Sequence, residues 1–404
     1  MKKIISICLI TWVLLSVFAV TSLNAQTTIQ RSLYVSAKGN DNNNGRSEET
    51  PFKTLGKAVE TANSGVIKTI TVSGTITDQE IRIRQTGNDE ILITGKPDAS
   101  GAEKAVISND IYINGKIRFT HILLTSIKVI DGSSTITLGA GVIVSNPRDD
   151  GITNISGLML IMIDDAAITG CKGAGVSRAS TVTMSDNASI TNNTGKGIRG
   201  NNNYITVTMS GNASITNNGG DGIELARVTM SGNAKVSNNK GAGLYDCAPL
   251  TMSENAEISG NKSESRYGGG VYVHTLSMSG NAKIINNTTK GNGGGAYIRG
   301  GNCTIADNAL ISGNTAKEGG GIYLTDASLT MEGGEISGNK AENGAGMYVA
   351  RGTFNHKGGT VTGNEADFIG GGVYVKSDAT YTAGGGKVNG NTSGDMGDDN
   401  VFRQ

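Results

Sequence analysis

TMSGNASITNN occupies residues 208–218, and near copies stand at 183–193 (TMSDNASITNN), 229–239 (TMSGNAKVSNN), 251–261 (TMSENAEISGN) and 277–287 (SMSGNAKIINN). With the second letter of each copy as a marker, the series runs Met184, Met209, Met230, Met252, Met278, Ile305 and Met331. Degenerate copies precede it at Thr137 and Met162, and others follow at Asn355 and Thr382. That makes eleven copies, spaced 21–27 residues apart. A period of this length marks a solenoid, in which each unit buries its apolar side against its neighbours.

The letters alternate within a copy. Val207 and Met209 share one face of a strand while Thr208 and Ser210 share the other. Gly211 and Asn212 then supply a turn, because both tolerate a left-handed backbone. Ser214, Ile215 and Thr216 make a second short strand, and Asn217 and Asn218 turn the chain again. A glycine-led third strand closes each unit, as in GDGIEL, YGGGVYV and GGGIYLT. Three short strands per period predict one coil of a right-handed parallel β-helix, an all-β fold. Coils then stack about 4.8 Å apart. Ile190, Ile215, Val236, Ile258 and their successors are expected to form one interior column, and the methionines another. The asparagines that end each copy, from Asn193 to Asn391, are expected to hydrogen-bond one another along the axis. A helical solenoid does not fit, since this density of Gly and Asn disfavours helix.

Charge is balanced at 35 basic and 35 acidic residues in 404, which argues against nucleic acid as a partner. The N-terminus reads as a signal peptide, residues 1–25. Lys2 and Lys3 precede the apolar run Ile4 to Val20, and cleavage is expected after Ala25. The protein is therefore expected to be secreted or held at the cell surface, with no membrane span in the mature chain. Residues 26–65 read as a strand, a Gly/Asn loop and a capping helix. Residues 66–130 read as irregular first coils, and 131–404 as regular repeats. Cys171, Cys247 and Cys303 are odd in number and far apart, so they read as buried free thiols.

LYVSAKGNDNNNGRSEETPFKTLGKAVETA (33–62) resembles the entry segment of secreted β-helix proteins of the pectin-lyase-like superfamily, where a short helix caps the open coil. Phe52, Leu55, Ala58 and Val59 supply an apolar face for such a cap. The paired GGG-[IV]-Y and ISGN motifs are similar to the repeats of polymorphic outer-membrane proteins, with Ile or Val in place of their Phe. The resemblance covers most of residues 30–400 and implies architecture more than activity.

Three candidate sites follow. Enzymes of the fold use carboxylate clusters, often with Ca²⁺ and a basic side chain. Arg148, Asp149, Asp150, Asp164 and Asp165 fall in irregular coils and form the alternative enzyme site. Asp164 and Asp186 are expected in one column of adjacent coils, either as a solvated turn in which Asp stands in for Gly or with Ca²⁺ relieving their repulsion; no other cofactor is implied. The third candidate is an exterior column that ends in Tyr245, Tyr272, Tyr297, Tyr323, Tyr348 and Tyr374, which reads as a self-stacking ladder and is also placed to stack on sugars or receive a protein. Arg199 and Glu224 share that column and are expected to pair across coils. His121, His274 and His356 have no carboxylate neighbour in the repeat frame. The near-identity of the coils favours a non-catalytic, adhesin-like protein that binds polysaccharide or a host or cell-surface protein. A polysaccharide lyase or glycoside hydrolase acting on an anionic polysaccharide is the alternative.

Overall fold

The computed structural model describes residues 32–404 except 79–80, 97–103, 130–133, 155–156, 202–203, 265–266, 395–396 and 399; the signal segment lies outside the described residues. The first strands of successive coils form one 15-stranded parallel sheet, running from Ser32–Ser36 to Ala379–Ala383. At about 4.8 Å per strand the rod is roughly 67 Å long. The second and third strands of each coil make the remaining walls.

The repeat lands in register. Val182, Val207 and Val228 align, as do Met184, Met209 and Met230, and all six are buried. In the second strands Ile190, Ile215, Val236, Ile258, Ile284, Ile311, Ile336 and Val361 form a fully buried column. In the first strands Thr208 and Thr229 alternate with the valines and methionines and face out. Period-2 alternation thus fills the interior with Val, Met and Ile and leaves hydroxyls outside.

At the corner after the second strand the buried asparagines form a ladder. Asn218 Nδ2 donates to Asn239 Oδ1 of the next coil at 3.0 Å and to the Ile190 carbonyl of the previous coil at 3.2 Å. The same pattern runs from Asn193 to Asn391, which ends on Asn400. Both amide hydrogens and the amide oxygen are used, which is what permits a polar column inside the coil. The adjoining glycines leave it room. A Cβ on Gly243 would lie 2.6 Å from the Gly270 carbonyl oxygen and 2.9 Å from Asn261 Nδ2.

At the entry, the helix Leu55–Ser64 buries Leu55, Ala58, Val59 and Ala62 against the first coils. The GNDNNNG stretch is a turn that holds this helix. Asp41 accepts hydrogen bonds from the backbone N–H groups of Lys53 and Thr54 and from the Thr54 hydroxyl. Cys171, Cys247 and Cys303 are buried free thiols.

Two features depart from expectation. Met331 pairs with His356 and then Ala383, so the late markers are those residues and not Asn355 and Thr382. From Met331 on, the turn after each marker is one residue shorter than before, as between His356 and Val361, which moves that coil's marker from Asn355 to His356 and places it buried in the methionine column. The later coils also carry a fourth wall. Between the asparagine ladder and the third strand, Lys262–Ser263 pairs with Thr288–Thr289, and Lys340–Asn343 pairs with Glu365–Ile369.

Candidate binding face

One exterior column on the third strands can be followed along nearly the whole rod. It runs Arg82, Tyr112, Lys128, Thr153, Ser177, Arg199, Glu224 and Tyr245 by strand register. It continues through Tyr272, Tyr297, Tyr323, Tyr348 and Tyr374 to Phe402. The column has three chemically distinct parts.

The C-terminal part is the tyrosine ladder, and its ring faces are taken. Tyr297, Tyr323, Tyr348 and Tyr374 stack ring on ring at 4.9, 5.1 and 4.6 Å, with interplanar angles of 10–17°. Tyr272 meets Tyr245 and Tyr297 edge to face. Ile369 of the fourth wall and Ala350, just after the third strand, pack against Tyr348 and Tyr374. Burial pushes the Tyr272 hydroxyl up to about 12 and raises Tyr297, Tyr323 and Tyr348 as well. The tyrosine column is therefore self-stacked, as its ladder reading expects, and half-buried, which leaves sugar rings only its edges.

The middle part is charged. Arg199 and Glu224 are column neighbours but do not pair with each other. Arg199 reaches Asp150 Oδ2 at 3.0 Å and Ser177 Oγ at 3.1 Å. Glu224 instead pairs with Lys196, which also holds Asp221 at 2.9 Å.

The N-terminal part opens into a groove with a cavity of about 550 Å³, lined by Ser108, Asn109, Tyr112, Lys128, Arg148, Asp149 and neighbouring polar side chains. Tyr112 lies between Arg82 and Lys128, which sit 5.5 and 5.7 Å from its ring centroid. Lys128 meets Asp110 at 2.6 Å, and Ser126 donates to the same carboxylate. Burial pushes the Asp110 carboxyl up, but Lys128 and Ser126 outweigh it and hold the group below the usual range.

The five residues of the alternative enzyme site do not converge. Arg148 and Asp149 line the groove. Asp150 is buried and engaged by Ala174 N–H, Ser177 and Arg199. Asp164 and Asp165 accept the backbone N–H groups of Ala140 and Gly141 at a different corner. Asp164 and Asp186 do lie in adjacent coils of one column, at φ of 57° and 55° where other coils use Gly211 and Gly232. There the Asp186 carboxylate accepts the Asp164 N–H at 3.2 Å, as Glu254 and Asp307 accept the N–H groups of Gly232 and Gly280. Among the described residues no group of three or more His, Cys, Asp or Glu is placed to hold a metal.

One constellation escaped the sequence. His274 Nε2 lies 3.8 Å from Asp246 Oδ1, so it does have a carboxylate neighbour, and Arg299 lies 2.9 Å from both. Tyr204 donates to the same carboxylate at 3.4 Å. A register shift hides it: Leu244 pairs with Val271 but Cys247 with Val273, which leaves Asp246 as the extra residue at φ 51°.

These coils define a right-handed parallel β-helix, and a family model of the right-handed β-helix region matches residues 226–393. No curated protein matches the chain. Among solved structures, the chain is similar to the pectate lyase Pel9A, at 16% identity and a TM-score of 0.36, over 62% of this chain and 76% of that one. It is also similar to a GH136 lacto-N-biosidase from Eubacterium ramulus, at 9% identity and a TM-score of 0.21, over 96% of this chain and 70% of that one. These likenesses concern the coil and carry nothing about chemistry. No described helix is long and apolar enough to cross a membrane.

Proposed function

We propose that this protein is exported to the cell surface or its surroundings, where it binds a polysaccharide without cleaving it. The observation that carries the reading is the open groove over Tyr112, whose hydroxyl, amide, carboxylate and cationic side chains suit a hydroxyl-rich, acid-bearing ligand. Support for binding over cleavage comes from the carboxylates. Hydrolysis needs two carboxyl groups facing one sugar bond. Of the two carboxylates that line the groove, Asp149 and Asp110, the second is tied up by Lys128 and Ser126, and Asp150, Asp164 and Asp165 are engaged elsewhere in the fold.

Affinity electrophoresis through gels containing polygalacturonate, alginate, xylan, galactan or chondroitin sulfate, with and without Ca²⁺, tests the reading. Retention by at least one polymer is expected, reduced tenfold or more in affinity by Arg148→Ala. Retention indifferent to Arg148→Ala moves the site away from the groove, and absence of retention on every polymer overturns the reading.

A further inference from the structure

The cluster of Tyr204, Asp246, His274 and Arg299 stands apart from the groove, and its chemistry is specific. Arg299 lies 4.8 Å from the Tyr272 ring centroid, which holds its guanidinium plane against an aromatic surface. One of its terminal nitrogens meets both Asp246 and His274 at 2.9 Å. For His274 Nε2 to accept that bond the ring must carry its proton on Nδ1. The Arg299 Nε is buried and has no hydrogen-bond partner within the protein. The side chains of Asp246, His274 and Arg299 nevertheless remain 26, 38 and 39% exposed.

With His274 neutral, Arg299 and Asp246 cancel in charge. A fixed guanidinium beside a carboxylate offers a donor and an acceptor in one rigid frame, which suits neighbouring hydroxyl groups of a neutral sugar better than a phosphate or sulfate. The cluster is also aligned with the groove. From Tyr112 the exterior column takes seven steps, through Lys128, Thr153, Ser177, Arg199, Glu224 and Tyr245, to Tyr272 beneath Arg299. At about 4.8 Å per step the two places are roughly 34 Å apart along the axis. The fourth-wall pairing starts only at Lys262–Ser263, so the column between them is not covered by it.

We propose that the Asp246–Arg299 cluster is a second saccharide subsite, in line with the groove, so that the outer face takes one long polysaccharide chain along the rod axis. This rests on the binding reading above. A chain that reaches both places makes its second contact intramolecularly, which raises affinity by about 10²–10⁴-fold without any new contact at either end.

The test uses the full chain and whichever polymer of the panel retains it, hydrolysed and sorted by length. Long fragments are expected to bind at least 100-fold more tightly than fragments of a few sugars. Arg299→Ala should bring the long fragments down to the affinity of the short ones. Arg299→Lys, which keeps the charge and loses the planar fork, should recover no more than part of the difference. If Arg299→Ala melts at a lower temperature than the wild type, His274→Ala serves in its place and should also shrink the length dependence. Asn233→Ala, on another corner, is the control expected to change nothing. Equal affinity for long and short fragments, or a length dependence that survives Arg299→Ala and His274→Ala, overturns the second subsite while leaving the groove intact. Failure of every polymer to retain the wild type overturns the binding reading itself.

Discussion

Asn218 gives two hydrogen bonds to a single atom of Asn239: its backbone N–H and its Nδ2 both meet Oδ1, each at 3.0 Å. Asn239 passes the pattern on, with Nδ2 donating to Asn261 Oδ1 at 2.9 Å and to the Ile215 carbonyl at 3.2 Å. The ladder is therefore a chain of polar groups with no spare valence, sealed inside an apolar coil.

Removing one rung should be costly. Asn239→Ala leaves two buried donors of Asn218 unpaired, and each unsatisfied group costs about 1–3 kcal/mol. A loss of roughly 2–4 kcal/mol is expected in urea unfolding. A second column of asparagines, exposed at the turn after the first strand and running Asn187, Asn212, Asn233 and Asn255, offers the contrast. Asn233 also donates to its neighbour Asn212, at 3.1 Å, but water replaces that bond. Asn233→Ala should cost no more than about 0.5 kcal/mol. Equal losses at the two positions would contradict the assignment of stability to the buried ladder.

Glycine behaves oppositely at two positions. Gly243→Ala drives a methyl group into the Gly270 carbonyl and the Asn261 amide, so destabilisation of roughly 1–3 kcal/mol is expected. Gly56 lies in the capping helix with nothing within 4 Å of an added Cβ, and Gly56→Ala should raise stability by about 0.5–1 kcal/mol. Thermal melting of the two variants checks both signs.

The tyrosine ladder predicts an alkaline limit to stability. Burial raises the Tyr272 pKa to about 12 in the fold, above the unfolded value near 10. The folded state thus binds more protons between these values, and stability falls as pH rises. The contribution is full below about pH 10 and is lost between about 10 and 12. Urea midpoints measured from pH 8 to 11 should drop above pH 10, and Tyr272→Phe should flatten the drop. A midpoint independent of pH in that range would show that the ring hydroxyls are not desolvated.

Most of the fold was legible because one coil nearly repeats the next. The methionine, isoleucine and asparagine columns each occupy a constant offset, so a count along the chain places them. Three things broke the count. The turn between His356 and Val361 is a residue short, so the count fell on Asn355 and missed His356, which fills the core. Three strands per unit were expected because stretches such as EADFI carry no strong alternation; they become strands only by pairing with Lys340–Asn343 next door. The site was less legible still. Asp246, His274 and Arg299 belong to three successive coils, and they meet only because a bulge displaces Asp246 from its repeat position. The tyrosine column was placed correctly, but the wall that covers it was not foreseen.

The central claim is that the outer face binds a polysaccharide and leaves it whole. Its most direct test incubates the full chain with each retained polymer, with and without Ca²⁺, and follows unsaturated and reducing-end products alongside retention. Retention with no product is predicted. Unsaturated product would make the protein a lyase, new reducing ends alone would make it a hydrolase, and either result would contradict the account.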